Sequence, residues 1–363
     1  MRVLFVTANA YLPQARGGMQ SSANELCIGL RERGHQVAVL AGIKPRSDER
    51  PRDAVVECDY VSEYRVWRAW CPWDALRFVV EREQPELIVV MSNQQVRTAM
   101  AATPTRIPIV VLLQNVQFDL LAGSLKELGN IPYLANSRFT AERYRTAFGI
   151  NPRVVYPVIR ADRYRTESTR ENVTFINPIP FKGRDIALGI ARLCPEIRFT
   201  FVESWRLFPE NRDCLLNELR TLPNVTFLPP QNDMRSVYGR CRILLAPSVW
   251  DEGYGRVVTE AQISGIPVIA SSRGGLPEAV GTGGIILDPQ QPIEDWVEAV
   301  RKLWHDTRQH DELSAAATAH AQRPELGFSY QIDTWENIMR AAASASLPKR
   351  NAGKEVLLRD TPV

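Results

Sequence analysis

Histidine and lysine are scarce in this 363-residue chain: only four histidines occur, and six of its 44 basic residues are lysine. His35, His305, His310 and His320 are too few and too scattered for a histidine metal cluster or a paired acid–base site. The six cysteines (27, 58, 71, 194, 214, 241) show neither C-x-x-C nor zinc-finger spacing, which fits free thiols in a reducing cytoplasm. There is no D-x-D, so the sequence gives no support for a metal cofactor. Neither a G-x-S-x-G elbow nor a G-x-x-x-x-G-K-[ST] loop is present. No apolar run approaches the ~20 residues needed to cross a bilayer. The start, MRVLFVTANAYLP, reads as a first β-strand rather than a signal peptide.

What is present is the balance of a soluble globular protein: 45% hydrophobic and 23% charged residues. The length suits two domains of roughly 150 residues each. Net charge is +3; residues 1–160 carry 20 basic and 15 acidic residues, the remainder 24 and 26. A mildly basic first half suits an anionic ligand or surface and is too weak to argue for nucleic acid. Short apolar runs alternate with helical periodicity throughout. RVLFVTAN, HQVAVLAG, LIVVMS, IPIVVLL and IPYLANS are strands of the first half. NVTFINP, IRFTFVES, NVTFLPP, RILLAPS and IPVIASS are strands of the second. Such alternation predicts an α/β chain of two doubly wound, Rossmann-like domains with parallel sheets. The expected division is 1–158, 159–328, a C-terminal helix over 329–345 and a loose tail over 346–363.

Ligands of doubly wound sheets bind in the loops beyond the strands' carboxyl ends. The stretch WDEGYGRVVTEAQISGIPV (250–268) places Glu252 in such a loop and Glu260 about two turns away from it, inside or near the first half of the following helix. Gly253 and Gly255 let backbone N–H groups face phosphate oxygens, with Tyr254, Arg256 and Val257 alongside. Two carboxylates flanking that seat can accept hydrogen bonds from sugar hydroxyls on either side of a diphosphate. An E-x7-E pair alone is common by chance, as a surface glutamate plus one favouring the helix dipole.

The whole stretch, however, resembles the signature of GT-B glycosyltransferases of the large retaining family 4, E-G-F-G-x-x-x-x-E-A-x-x-x-G-x-P-V. It stands here as Glu252-Gly253-Tyr254-Gly255, Glu260-Ala261 and Gly265-Ile266-Pro267-Val268, with Arg273-Gly274-Gly275-Leu276-Pro277-Glu278 downstream. The resemblance extends over roughly residues 1–343. It implies two domains facing a central cleft, a donor nucleotide-sugar on the C-terminal domain, an acceptor on the N-terminal domain and a final helix crossing back. It also implies that Glu252 contacts the transferred sugar and Glu260 the ribose hydroxyls.

In INPIPFKGRD (176–185), Lys182 with Gly183 matches the family's diphosphate lysine, and Asn177 stands where the family has an arginine. Either Arg184 or another arginine substitutes, or one cation fewer holds the diphosphate. Gly17 and Gly18 allow close approach to the donor from the N-domain. Pro230, Gln231 and Asn232 are the expected base contacts. Many relatives carry a histidine beside the reacting sugar; here the strand IPIVVLL ends in Gln114-Asn115, offered as sugar or acceptor contacts. The resemblance therefore implies a metal-free transfer in which the departing phosphate takes the acceptor's proton, with Lys182 and Glu252 as the catalytic pair.

In YRVWRAWCPWDALRFVVERE (64–83), Trp67 and Trp70 are expected in a loop free to meet the acceptor, and Trp73 and Phe78 in the core. The acceptor is a hydroxyl of a glycan, lipid-linked or small molecule, with peripheral contact at the inner membrane face through the basic N-domain in view. The leading expectation is a cytoplasmic hexosyltransferase using a UDP- or GDP-sugar. A catalytically silent nucleotide-sugar-binding subunit and a UDP-N-acetylglucosamine 2-epimerase-like enzyme remain as alternatives.

Overall fold

The computed structural model describes residues 1–43, 56–61, 63–205, 207 and 209–345. The expected tail over 346–363 lies outside the described residues. Runs rich in valine, isoleucine and leucine, bounded by polar loops, form two sheets. The first holds β1 (Arg2–Ala10), β2 (Gln36–Gly42), β3 (Glu57–Val61), β4 (Tyr64–Ala69), β5 (Leu87–Met91), β6 (Ile109–Leu113), β7 (Tyr133–Ala135) and β8 (Arg153–Val154). Their order is β3-β4-β2-β1-β5-β6-β7-β8. The second holds β9 (Asn172–Ile176), β10 (Phe199–Val202), β11 (Val225–Leu228), β12 (Cys241–Ala246), β13 (Val268–Ser271) and β14 (Gly284–Leu287), in the order β11-β10-β9-β12-β13-β14. All pairings are parallel except β3 with β4, an antiparallel edge. Strands covered by helices on both faces are largely apolar: β5, β6 and β9 are buried at every position, β9 with Asn172 and Thr174 among its residues.

Strand order reverses between β1 and β5 in one sheet and between β9 and β12 in the other. Each reversal opens a crevice at the strands' carboxyl ends, and the loops leaving these strands face one another across a cleft. The final helix, Phe328–Ala345, returns to the first sheet and buries Ile332, Trp335, Ile338 and Met339 in the same core as Phe5. Among the described residues, no helix is long and apolar enough to cross a membrane.

The aromatic stretch 64–83 differs from the sequence expectation. Trp67 is not in a loop but inside β4, 9% exposed, with Nε1 donating to Glu83 at 2.7 Å. The neighbouring arginines are accommodated in the same strand. Arg68 is buried and donates to Asp59 from Nε at 2.9 Å and from Nη2 at 3.1 Å. Phe78, expected in the core, is 37% exposed with the Arg82 guanidinium over its ring. Trp70 and Trp73 are half-buried, the latter beneath Arg97.

Candidate functional site

Two adjoining cavities of about 760 and 440 Å3 fill the cleft and share Gly18, Ile176, Ser204, Arg256 and Val257. The smaller holds Lys182 and Glu252, the larger Glu260. The E-x7-E pair therefore marks two ends of one continuous space.

At the Glu252 end, two loops are pressed together. Gly183 has φ +84, and a Cβ there would fall 2.0 Å from the Pro247 carbonyl oxygen, so only glycine lets the turn holding Lys182 meet the exit of β12. Lys182 Nζ consequently donates to Glu252 Oε1, and Ser248 Oγ donates to the same oxygen at 2.7 Å. The ammonium also stands 5.2 Å from the ring centroids of both Trp205 and Trp250, a cation–π setting that fixes the flexible lysine stem. Burial works to raise the Glu252 carboxyl, but the Lys182 charge and these hydrogen bonds outweigh it and hold the group below its ordinary value.

Asn177 is buried with φ +69, and its Oδ1 accepts the Trp205 backbone N–H at 3.1 Å. It lines the smaller cavity and orders the loop that brings Trp205 over Lys182. Arg184 does not replace the family arginine: it pairs with Asp185 and lines neither cavity.

At the Glu260 end the carboxylate is 6% exposed and both oxygens are engaged. Oε1 accepts Arg256 Nε at 2.6 Å and Oε2 accepts Tyr238 Oη at 2.8 Å. Arg256, expected to contact the donor, lines both cavities and also crosses the cleft. It donates to Glu25 Oε1 at 2.6 Å, Tyr164 Oη at 2.6 Å, Ser22 Oγ at 2.9 Å and the Val158 carbonyl at 2.6 Å. A planar guanidinium with five N–H donors suits so many acceptors. Two buried carboxylates share this one cation. Burial lifts the Glu260 carboxyl above its ordinary value, Arg256 and Tyr238 oppose that rise, and the Glu25 charge adds to it.

Pro230, Gln231 and Asn232 line the larger cavity, opposite Gly17 and Gly18. Arg16 Nη1 donates across the cleft to Asn232 Oδ1. Tyr254 turns away from the cleft: its ring is buried against Tyr156 and its hydroxyl meets Thr259 at 2.9 Å, leaving only part of the residue at the cavity wall. Gly253 doubles as a domain contact. Its carbonyl accepts Ser137 Oγ at 2.5 Å, and a Cβ there would lie 2.2 Å from the Gln114 carbonyl oxygen.

Gln114 and Asn115 line the smaller cavity, whereas Trp67 and Trp70 line neither. The contacts missed by local sequence reading are Ser22, Glu25, Tyr164 and Glu278. Glu278 accepts the Arg138 backbone N–H at 2.9 Å and the Tyr156 hydroxyl at 2.6 Å. One signal was available for Glu25: a carboxylate amid the apolar positions of SSANELCIGL.

Two family models match: Glycosyltransferase Family 4 over residues 16–163 and Glycosyl transferases group 1 over 207–320. Curated relatives include the D-inositol 3-phosphate glycosyltransferase of Corynebacterium kroppenstedtii, 39% identical over 151 residues, covering 40% of this chain and 33% of the relative. The protein of that name from Mycolicibacterium smegmatis is 35% identical over 170 residues, covering 44% and 38%. The chain thus spans little more than a third of the length of these relatives. Among solved structures, Anabaena Alr3699/HepE in complex with UDP-glucose superposes with TM-score 0.76 at 17% identity, covering 93% of this chain and 99% of that one. Sucrose-phosphate synthase from Thermosynechococcus elongatus gives 0.74 at 15% identity, covering 95% and 100%. These structures share the two-sheet, facing-domain fold.

Proposed function

We propose that this chain, which belongs to the family 4 glycosyltransferases of GT-B fold, moves a hexosyl group from a UDP- or GDP-sugar to a hydroxyl acceptor with retention and without a metal. The observation that carries the reading is the half-buried Lys182–Glu252 pair in the same cleft as Glu260. UDP is the first choice of nucleotide, since the solved HepE structure holds UDP-glucose.

The residues divide the work along the cleft. The base faces Pro230, Gln231 and Asn232, the ribose faces Glu260, and the diphosphate lies towards Lys182. The transferred hexose sits by Glu252, whose carboxylate accepts sugar hydroxyls. The acceptor oxygen forms its bond to the anomeric carbon as the bond from that carbon to the diphosphate breaks. The bonding pair leaves with the diphosphate, and a departing phosphate oxygen takes the acceptor proton on the same face. No histidine is required in this scheme. Lys182 meets the charge that develops on the leaving group, an interaction stronger in the transition state than in the ground state. Asn177 keeps Trp205 against the lysine, so one cation held in place serves where the family pattern has two.

Calorimetric titration with UDP, GDP, ADP and dTDP, each with and without EDTA, tests the reading. A selective response to UDP or GDP that EDTA leaves unchanged is expected. Silence towards all four nucleotides, or a response abolished by EDTA, sinks it.

A further inference from the structure

We infer that the acceptor is a neutral polyol, a sugar or cyclitol with no phosphate on the part that enters the cleft. The inference rests on reading the cleft as a sugar-transfer site, and it contrasts with the phosphate in the curated relatives' name. The N-domain wall opposite Lys182 and Glu252 presents the carboxamides of Asn9, Asn93, Gln114, Asn115, Gln117 and Asn136. Among the described residues, no ionisable side chain of the N-domain lines this cavity. A carboxamide both donates and accepts, as a sugar hydroxyl does, so such a wall matches a polyol at either polarity.

A phosphate on that wall would lose hydration and find no counter-charge. The cavity's two cations stand on the opposite wall, Lys182 beside Glu252 where the donor diphosphate takes it up, and Arg256 paired with Glu25 and Glu260. The basic excess of the first half is spent elsewhere. Arg65 pairs with Glu83, Arg68 with Asp59, Arg138 with Glu278, and Arg143 lies over the Phe118 ring.

The wall also states which polarity it lacks. Gln114 Oε1, Asn115 Oδ1 and Asn136 Oδ1 are buried with no hydrogen-bond partner. The amide nitrogens of Asn115 and Asn136 are already used, donating to Asn93 Oδ1 at 2.9 Å and the Gln114 carbonyl at 3.1 Å. Unpaired buried acceptors are costly, and a small side-chain rotation that turns them to the cavity would let them receive donors. An O–H supplies one, whereas a phosphate dianion supplies only further acceptors.

The experiment titrates the UDP-saturated full chain with matched pairs: glucose and glucose 6-phosphate, mannose and mannose 6-phosphate, myo-inositol and inositol 3-phosphate. Ligand-observed NMR reads binding, and UDP affinity is measured alongside. The neutral member should bind at least tenfold more tightly in at least one pair, with no phosphorylated member ahead of its partner. Tighter binding by any phosphorylated member, or binding by no neutral member, overturns the proposal. Asn93→Lys should raise affinity for the phosphorylated members at least tenfold and leave UDP affinity within twofold. No gain there removes the acceptor from this wall. Failure with UDP affinity intact condemns only this inference, whereas absence of nucleotide binding condemns the transferase reading.

Discussion

Glu252 and Glu260 share one motif and one cleft, yet their surroundings differ in kind. Glu252 meets a single lysine held between two tryptophan rings, and its charge is favoured. Glu260 sits in a buried cluster that ties together both domains and the linker between them, and its charge is resisted. Sequence spacing makes the two look equivalent. The structure separates an end built around one held cation from an end that also ties the two sheets together.

Four substitutions, and a pH titration of two further variants, would break or sharpen this contrast. Lys182→Ala should cut turnover most, by about 100-fold or more, as expected when a single stabilising donor is removed from a developing anion. Turnover near wild type would hand the diphosphate to another cation. Next, Glu252→Ala should lower kcat by about 100-fold and leave nucleotide Kd within about twofold. Combining it with Lys182→Ala should cost little more than either alone, because the residues act as a pair. Additive losses in the double variant would dissolve that pairing.

Glu260→Ala should instead weaken UDP binding about tenfold, a change of 1.4 kcal/mol. It should also lower unfolding free energy by about 2 kcal/mol, since charged hydrogen bonds to Arg256 and Tyr238 are lost. Denaturant melts and calorimetry on both glutamate variants test the contrast directly, and indistinguishable profiles would erase it. Tyr238→Phe removes one hydroxyl contact to Glu260 and should cost about 1 kcal/mol of stability while Lys182–Glu252 chemistry persists. An unchanged melt would mean that this bond contributes nothing measurable.

The smallest effect is in pH. Glu252 titrates below its ordinary 4.5, so its contribution is complete above that value and disappears as pH falls through the folded-state value. Glu260 titrates above 4.5, so its contribution is complete below 4.5 and is lost as pH rises through its folded-state value. The slopes of melting temperature against pH should therefore change with Glu252→Gln on the acid side of 4.5, where the wild-type contribution is being lost. With Glu260→Gln they should change on the less acid side. A shift on the same side for both would contradict the opposed electrostatics.

Much of the architecture was legible because buried parallel strands are written as short, largely apolar runs. LIVVM, IVVLL and NVTFI each became a fully buried strand. The antiparallel edge was harder to read. YRVWRA mixes arginine with tryptophan, and nothing local announces that Arg68 finds Asp59 on β3 or that the Trp67 indole finds Glu83. The cleft shows the same divide. Lys182, Glu252 and Glu260 could be placed from the loops and the helix that carry them. The partners of Arg256 could not, since Ser22, Glu25 and Tyr164 lie far away in the chain and meet it only once both sheets have formed. The inward turn of Tyr254 was hidden for a related reason: its ring packs on Tyr156, beyond the end of the first sheet.

The Gly253 carbonyl rests on the Ser137 hydroxyl, and the Arg256 guanidinium rests on Ser22 and Glu25. The donor signature is therefore not a portable cassette. A chimera that joins this C-terminal half to another enzyme's N-terminal half would inherit the sugar-nucleotide residues without their footing. It should recover its seating when a hydroxyl at position 137 and the Ser22–Glu25 pair are transplanted with it.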